Sequence, residues 1–202
     1  GVLTSYAGLL DYGMNTSFVK YISEFYSQKK YDKINQVVNI GFVFYSIFAV
    51  LIIGIGFLTV NNLLHLFNIS LPLQDEARYV VILGIIIFAI NSILSPFTSI
   101  QSSLQRMDIT NKVLIITSIP QIIGTIFFME SGYGLIGLMI INAIVVGLTN
   151  IINVIIAFNI LPQLHFNPLS ICRKEMFKQL FGFGFKIQIM TTAGWIQGQM
   201  DK

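Results

Sequence analysis

Charge is what this chain lacks most. Asp, Glu, Lys and Arg make up only 10% of its 202 residues, against 54% hydrophobic, whereas soluble domains carry charge at roughly 25%. No charged residue lies between Lys33 and Asp75, between Arg78 and Arg106, or between Glu130 and Arg173. Runs of that length cannot be kept from water on all sides, and each spanning helix needs roughly 20 apolar residues. The chain therefore reads as a polytopic membrane protein. Cysteine is nearly absent: Cys172 stands alone, which excludes an intrachain disulfide. The two histidines, His65 and His165, fall in different loops with no Cys or carboxylate at ligand spacing, so neither a metal nor a cofactor is expected. Missing too are a Gly-rich phosphate loop before Lys-Ser/Thr, a His-Glu-x-x-His and a Gly-x-Ser-x-Gly, and the loops on the side poor in Lys and Arg are too short to hold an active site. Enzyme chemistry is disfavoured. The net charge of +3 and the pI near 9 do not indicate nucleic acid, because the basic residues sit in short loops between apolar runs. There they set orientation and attract anionic membrane lipid.

What is present is a series of apolar segments. The pattern predicts spans over about 1–19, 37–60, 79–97, 112–129 and 133–161, and a sixth beginning near Phe181. The first continues as a polar helical stretch over Lys20–Tyr31, and the loop Asn61–Ala77, with Leu63, Leu64, Leu66 and Phe67, is expected to lie along the membrane interface. Lys20, Lys29, Lys30 and Lys33 follow the first span, Arg106 and Lys112 the third, and Arg173, Lys174, Lys178 and Lys186 the fifth. Short loops rich in Lys and Arg stay cytoplasmic, so the first span runs from outside to inside. The chain opens at Gly1 in helix-like sequence and stops at Asp201–Lys202 within a span. The expectation is a fragment, missing at least one helix at each end, with an odd number upstream if the true N-terminus is cytoplasmic.

Polar and small residues recur at helical spacing inside these spans. Thr4, Gly8, Asp11 and Asn15 form one stripe; Asn91, Ser95, Thr98 and Ser102 form another. Thr117, Gln121 and Thr125 follow in the fourth span, Asn142, Thr149 and Asn153 in the fifth, and Gln188, Thr192, Trp195 and Gln199 in the last. Lipid offers no hydrogen-bond partners, so such stripes face protein. They can serve helix packing, or they can jointly line a hydrated cavity for a polar solute. Asp11 is the sharpest position: an ionised carboxylate at mid-span costs about 2.5–3.5 kcal/mol on insertion scales and wants water or a partner. It could also be a helix-end carboxylate at the interface. Lys186 reads either as an interface cation or as a ligand.

Gly8–Glu24, GLLDYGMNTSFVKYISE, resembles the second-helix signature of polysaccharide flippases, with its Leu-Leu-Asp-x-Gly core. Lys29–Asn35, KKYDKIN, is similar to their first cytoplasmic loop. Ser118–Gly124, SIPQIIG, and Tyr133–Gly137, YGLIG, resemble their fifth helix, outer turn and sixth helix. Phe181–Lys202 is similar to the seventh helix that opens the second half. The family is the oligosaccharide-lipid flippase branch of the multidrug/oligosaccharidyl-lipid/polysaccharide exporter superfamily. The resemblance implies an all-α bundle, the N-terminal lobe of a two-lobed transporter, with 1–180 as that lobe plus its cytoplasmic linker and 181–202 as the truncated first helix of the other. It implies a multi-pass protein of the bacterial cytoplasmic membrane. By alternating access it would move lipid-linked oligosaccharide, carried on a diphosphate lipid, outward for capsule, O-antigen or exopolysaccharide synthesis, alongside polysaccharide-assembly membrane proteins. By the same match, Asp11, Asn15, Gln188 and Asp201 are candidates to line the cavity, and Arg106 or Lys186 to meet phosphate at its cytoplasmic mouth.

Other readings remain open on sequence alone. A drug/cation antiporter of the same superfamily would need cavity carboxylates for ion coupling, and only Asp11 and Asp201 are on offer. A membrane-embedded sugar polymerase would want a long outer loop bearing Arg and carboxylates. A non-transporting scaffold is the third choice.

Overall fold

Backbone amides in a bilayer must be bonded within their own segment, and an apolar run long enough to span therefore coils into a helix. Six helices result, with no strand among the described residues, which in this computed structural model are 13–66, 70, 73–167 and 174–200. They are α1 (Met14–Ser27), α2 (Tyr31–Leu66), α3 (Gln74–Ser103), α4 (Met107–Glu130), α5 (Gly134–Ile160) and α6 (Lys174–Met200). The fold is the expected all-α membrane helix bundle. Four helices, α2 to α5, have the length and composition to cross a membrane, with spans of 24 to 32 residues. At 1.5 Å per residue the shortest reaches about 36 Å, more than the roughly 30 Å of hydrocarbon.

Three sharp turns set the alternation. After α1, Lys29 takes a left-handed conformation (φ 54°) while the Lys30 and Lys29 amides bond the Phe25 and Tyr26 carbonyls. After α3, Gln105 (φ 55°) does the same, with Arg106 bonding Gln101 and Gln105 bonding Ser102. After α4 the left-handed residue is Gly132 (φ 77°), and Tyr133 and Gly132 bond Phe128 and Met129. Each is a Schellman motif, in which the reversal itself satisfies carbonyls that a helix end would orphan. Turns this economical shorten the loops below what charge alone suggested. Lys29–Asn35 is not a loop: the reversal ends at Lys30 and Tyr31 already starts α2. Likewise α2 runs on through Asn61 to Leu66, so the first part of the expected interface loop is helix.

The sixth helix also starts earlier than its hydropathy indicates, at Lys174 and not near Phe181. Its first turns are polar on one side only. Met176 and Leu180, one turn apart, are buried with the α1 and α2 core, and that packing carries the helix through Lys174, Glu175 and Lys178.

The packed core lies at the end where the basic residues gather. Met14, Phe18 and Ile22 of α1 are buried with Ile34 and Val37 of α2, Ile100 of α3, Ala157 of α5 and Leu180 of α6. By contrast α4 is peripheral. Only Val113 and Thr117 are buried on it, and Ile115, Ile119, Ile123 and Phe127 are each more than half exposed. It packs on α5 through small residues, with Gly124 facing Ile141 and Gly137 facing Phe128.

The segment after α5 is pinned. Leu161 and Leu164 are buried, and the Phe166 ring packs edge-on against Phe42 at 4.8 Å and tilted against Phe97 at 5.7 Å. The side chains of Asn35 and Asn39, one turn apart on α2, bond its backbone. Asn35 Nδ2 donates to the Gln163 carbonyl and its Oδ1 accepts from the His165 amide, each at 3.0 Å. Asn39 repeats this with the His165 carbonyl and the Asn167 amide, again at 3.0 Å. Alternate residues of an extended chain present their polar groups on one edge, and two carboxamides fill the place of a neighbouring strand.

Candidate functional site

Two polar regions emerge from this frame. The first is where α1 packs on α3 and on α6. Gly13 precedes α1 with φ 66°, and a Cβ there would collide with the Gly184 carbonyl of α6. One turn on, the wholly buried Ser17 donates its hydroxyl to the Leu180 carbonyl at 3.0 Å. Farther along, the Tyr21 ring meets Phe183 edge-on at 5.8 Å and the Lys20 ammonium sits 3.9 Å from the Phe183 ring centre. The α1–α6 seam is thus made of small residues at one end and a cation–aromatic stack at the other.

Asn15 emerges beside this seam. It is exposed, and its Oδ1 accepts from Ser99 Oγ of α3 at 2.7 Å. Gln188 is half-buried on α6, one turn beyond Gly184 and so on the same face. Lys186 is exposed and only two residues past Gly184, which turns it to the opposite side of the helix from α1. Asn15 and the Gln188 face therefore flank one seam, and Lys186 does not join them. Asp11 and Asp201 lie outside the described residues. One turn beyond Ser99, away from the basic end, Ser95 Oγ is the one buried side-chain polar atom without a hydrogen-bond partner among the described residues, beside the mid-helix Pro96.

The second region is at the basic end. Arg106, just past α3, pairs with Asp108 at 3.2 Å, both half-exposed. Its side chain lines an open polar cavity of about 430 Å³ with Tyr26, Leu104, Asn159 and Ile160. Three connections converge there: those after α1, α3 and α5. Under it lies a polar latch that composition did not flag. Gln101 is fully buried, donates to Asn153 Oδ1 of α5 at 2.9 Å and accepts from Thr110 Oγ1 of α4 at 3.1 Å. A second cross-helix pair, Asn150 Nδ2 to Asn91 Oδ1 at 2.8 Å, ties α5 to α3 higher up. Of these, Asn91, Ser95 and Asn153 belong to the polar stripes, and Gln101, Asn150 and Ser99 do not. Gln101 and Asn150 lie outside those stripes, though Gln101 with Asn153 and Asn150 with Asn91 are amides facing each other across helices.

A bundle of apolar helices with amides and hydroxyls turned inward defines a class, the multi-pass membrane proteins. Within it the assignment is direct: the sequence profile of the MatE family matches residues 3–129, and the chain belongs to that family, membrane transporters of the multidrug/oligosaccharidyl-lipid/polysaccharide exporter superfamily. The match runs from before α1 almost to the end of α4. No curated protein and no solved structure matches the chain.

Proposed function

We propose that this transporter moves lipid-linked oligosaccharide across the bacterial cytoplasmic membrane, by alternating access, for capsule, O-antigen or exopolysaccharide synthesis. One observation carries the reading. Among the described residues no carboxylate stands in the middle of a helix: Asp32, Asp75, Glu76, Asp108 and Glu175 fall in first turns, and Glu24 and Glu130 in last turns. The polar side chains that the described helices turn toward one another, Asn15 with Ser99, Gln101 with Asn153 and Asn91 with Asn150, are neutral amides and hydroxyls, the donors and acceptors that meet sugar hydroxyls without charge. Asn15 and Gln188 beside the α1–α6 seam are assigned to the sugar, together with Asp11 and Asp201. Arg106, in its open cavity at the basic end, is assigned to the diphosphate of the lipid carrier, for which guanidinium gives bidentate recognition; Lys186, turned away from the α1–α6 seam, is the alternative cation. Helices α1 to α5 act as one lobe and α6, which starts at Lys174, opens the other; the partners are the lipid-linked sugar, membrane lipids and polysaccharide-assembly membrane proteins.

A drug/cation antiporter is the second reading, favoured by the match to the MatE profile itself. It requires Asp11 or Asp201 as the coupling carboxylate. Two assays on the full-length protein separate them. Restoration of surface polysaccharide in a flippase-deficient strain, lost in Asn15→Ala and Gln188→Ala at unchanged membrane level, supports the flippase. Drug resistance that is lost in Asp11→Asn, without polysaccharide rescue, replaces it with the antiporter.

A further inference from the structure

On the flank away from Asn15, α2 and the start of α6 enclose an open groove of about 250 Å³, lined by Ile40, Phe44, Ile47, Phe48 and Leu51 of α2 and by Phe177 of α6. Its walls are held by rings: Phe44 stands edge-on to Phe181 at 5.5 Å, Phe177 stacks on Phe181 at 5.4 Å, and Phe44 stacks on Phe48 at 6.3 Å. We propose that this groove holds an acyl chain of an anionic phospholipid from the leaflet at the basic end, with the lipid phosphate on Lys174 and Lys178.

Depth, charge and chemistry point to that occupant. From Ile40 to Leu51 the groove climbs eleven helical steps, about 17 Å. That matches one leaflet, since the whole hydrocarbon layer is roughly 30 Å; a spanning protein helix would need a seam twice as long. Its lower end opens at the first turn of α6, where Lys174 and Lys178 are both exposed. Lys174, Phe177, Lys178 and Phe181 fall on one side of that helix. The turn's only acid, Glu175, is about 160° round from Phe177 and, although it stands one turn before Lys178, makes no ion pair with it; the ion pair among the described residues is Arg106 with Asp108. The nearby Lys33 is set aside, because its ammonium already lies over the Phe25 ring at 5.1 Å. A basic rim between membrane helices at the cytoplasmic surface recognises anionic headgroups, and ring walls without polar groups suit a hydrocarbon chain. The groove and its basic rim would hold such a lipid whether the cargo is a sugar or a drug.

The test is native mass spectrometry of the full chain released from nanodiscs of equimolar phosphatidylglycerol and phosphatidylcholine. Phosphatidylglycerol should remain bound in preference to phosphatidylcholine. Lys174→Gln and Lys178→Gln should each weaken its retention about fivefold, leaving phosphatidylcholine unchanged. Ile47→Trp, which fills the groove, should evict the lipid while thermal melting and elution volume stay those of the unaltered protein. Equal retention of the two lipids, or retention indifferent to both kinds of variant, overturns the proposal. Displacement of phosphatidylglycerol by equimolar polyprenyl phosphate also overturns it, giving the groove to the isoprenoid chain. So does a photocrosslinker at position 47 that captures protein and no lipid.

Discussion

Single residues in this bundle hold conformations that their neighbours impose. Gln105 sits at φ 55° to close the Schellman turn after α3, where an L side chain in the left-handed region is disfavoured by about 1–2 kcal/mol and glycine is not. Gln105→Gly should therefore raise unfolding stability by about 0.5–1 kcal/mol, read as an upward shift in the melting temperature of detergent-solubilised protein. Gln101 is the opposite case, a buried amide that satisfies two helices at once. Replacing it with Leu leaves Asn153 and Thr110 facing apolar surface and should cost about 1–3 kcal/mol. Adding Asn153→Leu should return part of that loss, because two apolar partners of similar shape offend less than one orphaned amide. A double-mutant cycle with no coupling would show that the two amides do not depend on each other.

Between elements, contact distance decides what is tolerated. Gly13 enters α1 at positive φ with the Gly184 backbone against it, so Gly13→Ala has neither the conformation nor the space, and should cost at least about 2 kcal/mol and push α1 from α6. Gly54 is the internal control: it lies mid-helix in α2 with open space around it, and Gly54→Ala should gain up to about 1 kcal/mol from helix propensity. Thermal unfolding of the two variants side by side checks both signs. The same comparison shows what the sequence could tell. The apolar runs gave α2 to α5, since in lipid an uncharged run of that length has no other way to bond its backbone. They misplaced the start of α6, because Lys174 and Lys178 masked the Met176–Leu180 pair that packs there. They were silent on Asn35 and Asn39, which read as polar residues near a loop. Their partners are backbone groups more than a hundred positions away, and no local periodicity encodes that. Asn15 and Gln188 were legible as members of stripes, whereas the seam they flank depends on Gly13 and Gly184 meeting, a fact of tertiary packing.

For the whole molecule, the pinned segment after α5 is the part whose loss should be felt farthest. Asn35→Ala with Asn39→Ala removes four hydrogen bonds to it while leaving Phe166 between Phe42 and Phe97. The expected result is faster proteolytic cleavage between Leu161 and Asn167, with the rest of the bundle melting within a few degrees of the original. Cleavage at the original rate would mean that the aromatic contact alone holds the segment. The pin has a mechanical consequence as well. From Ile160 to Lys174 the covalent chain could pay out about 50 Å if it hung free; from Asn167 it can pay out only about 25 Å. By anchoring the chain at its midpoint, two asparagines halve the length of connection that separates the head of α6 from the bundle, and so raise the local concentration at which it meets α1 during folding.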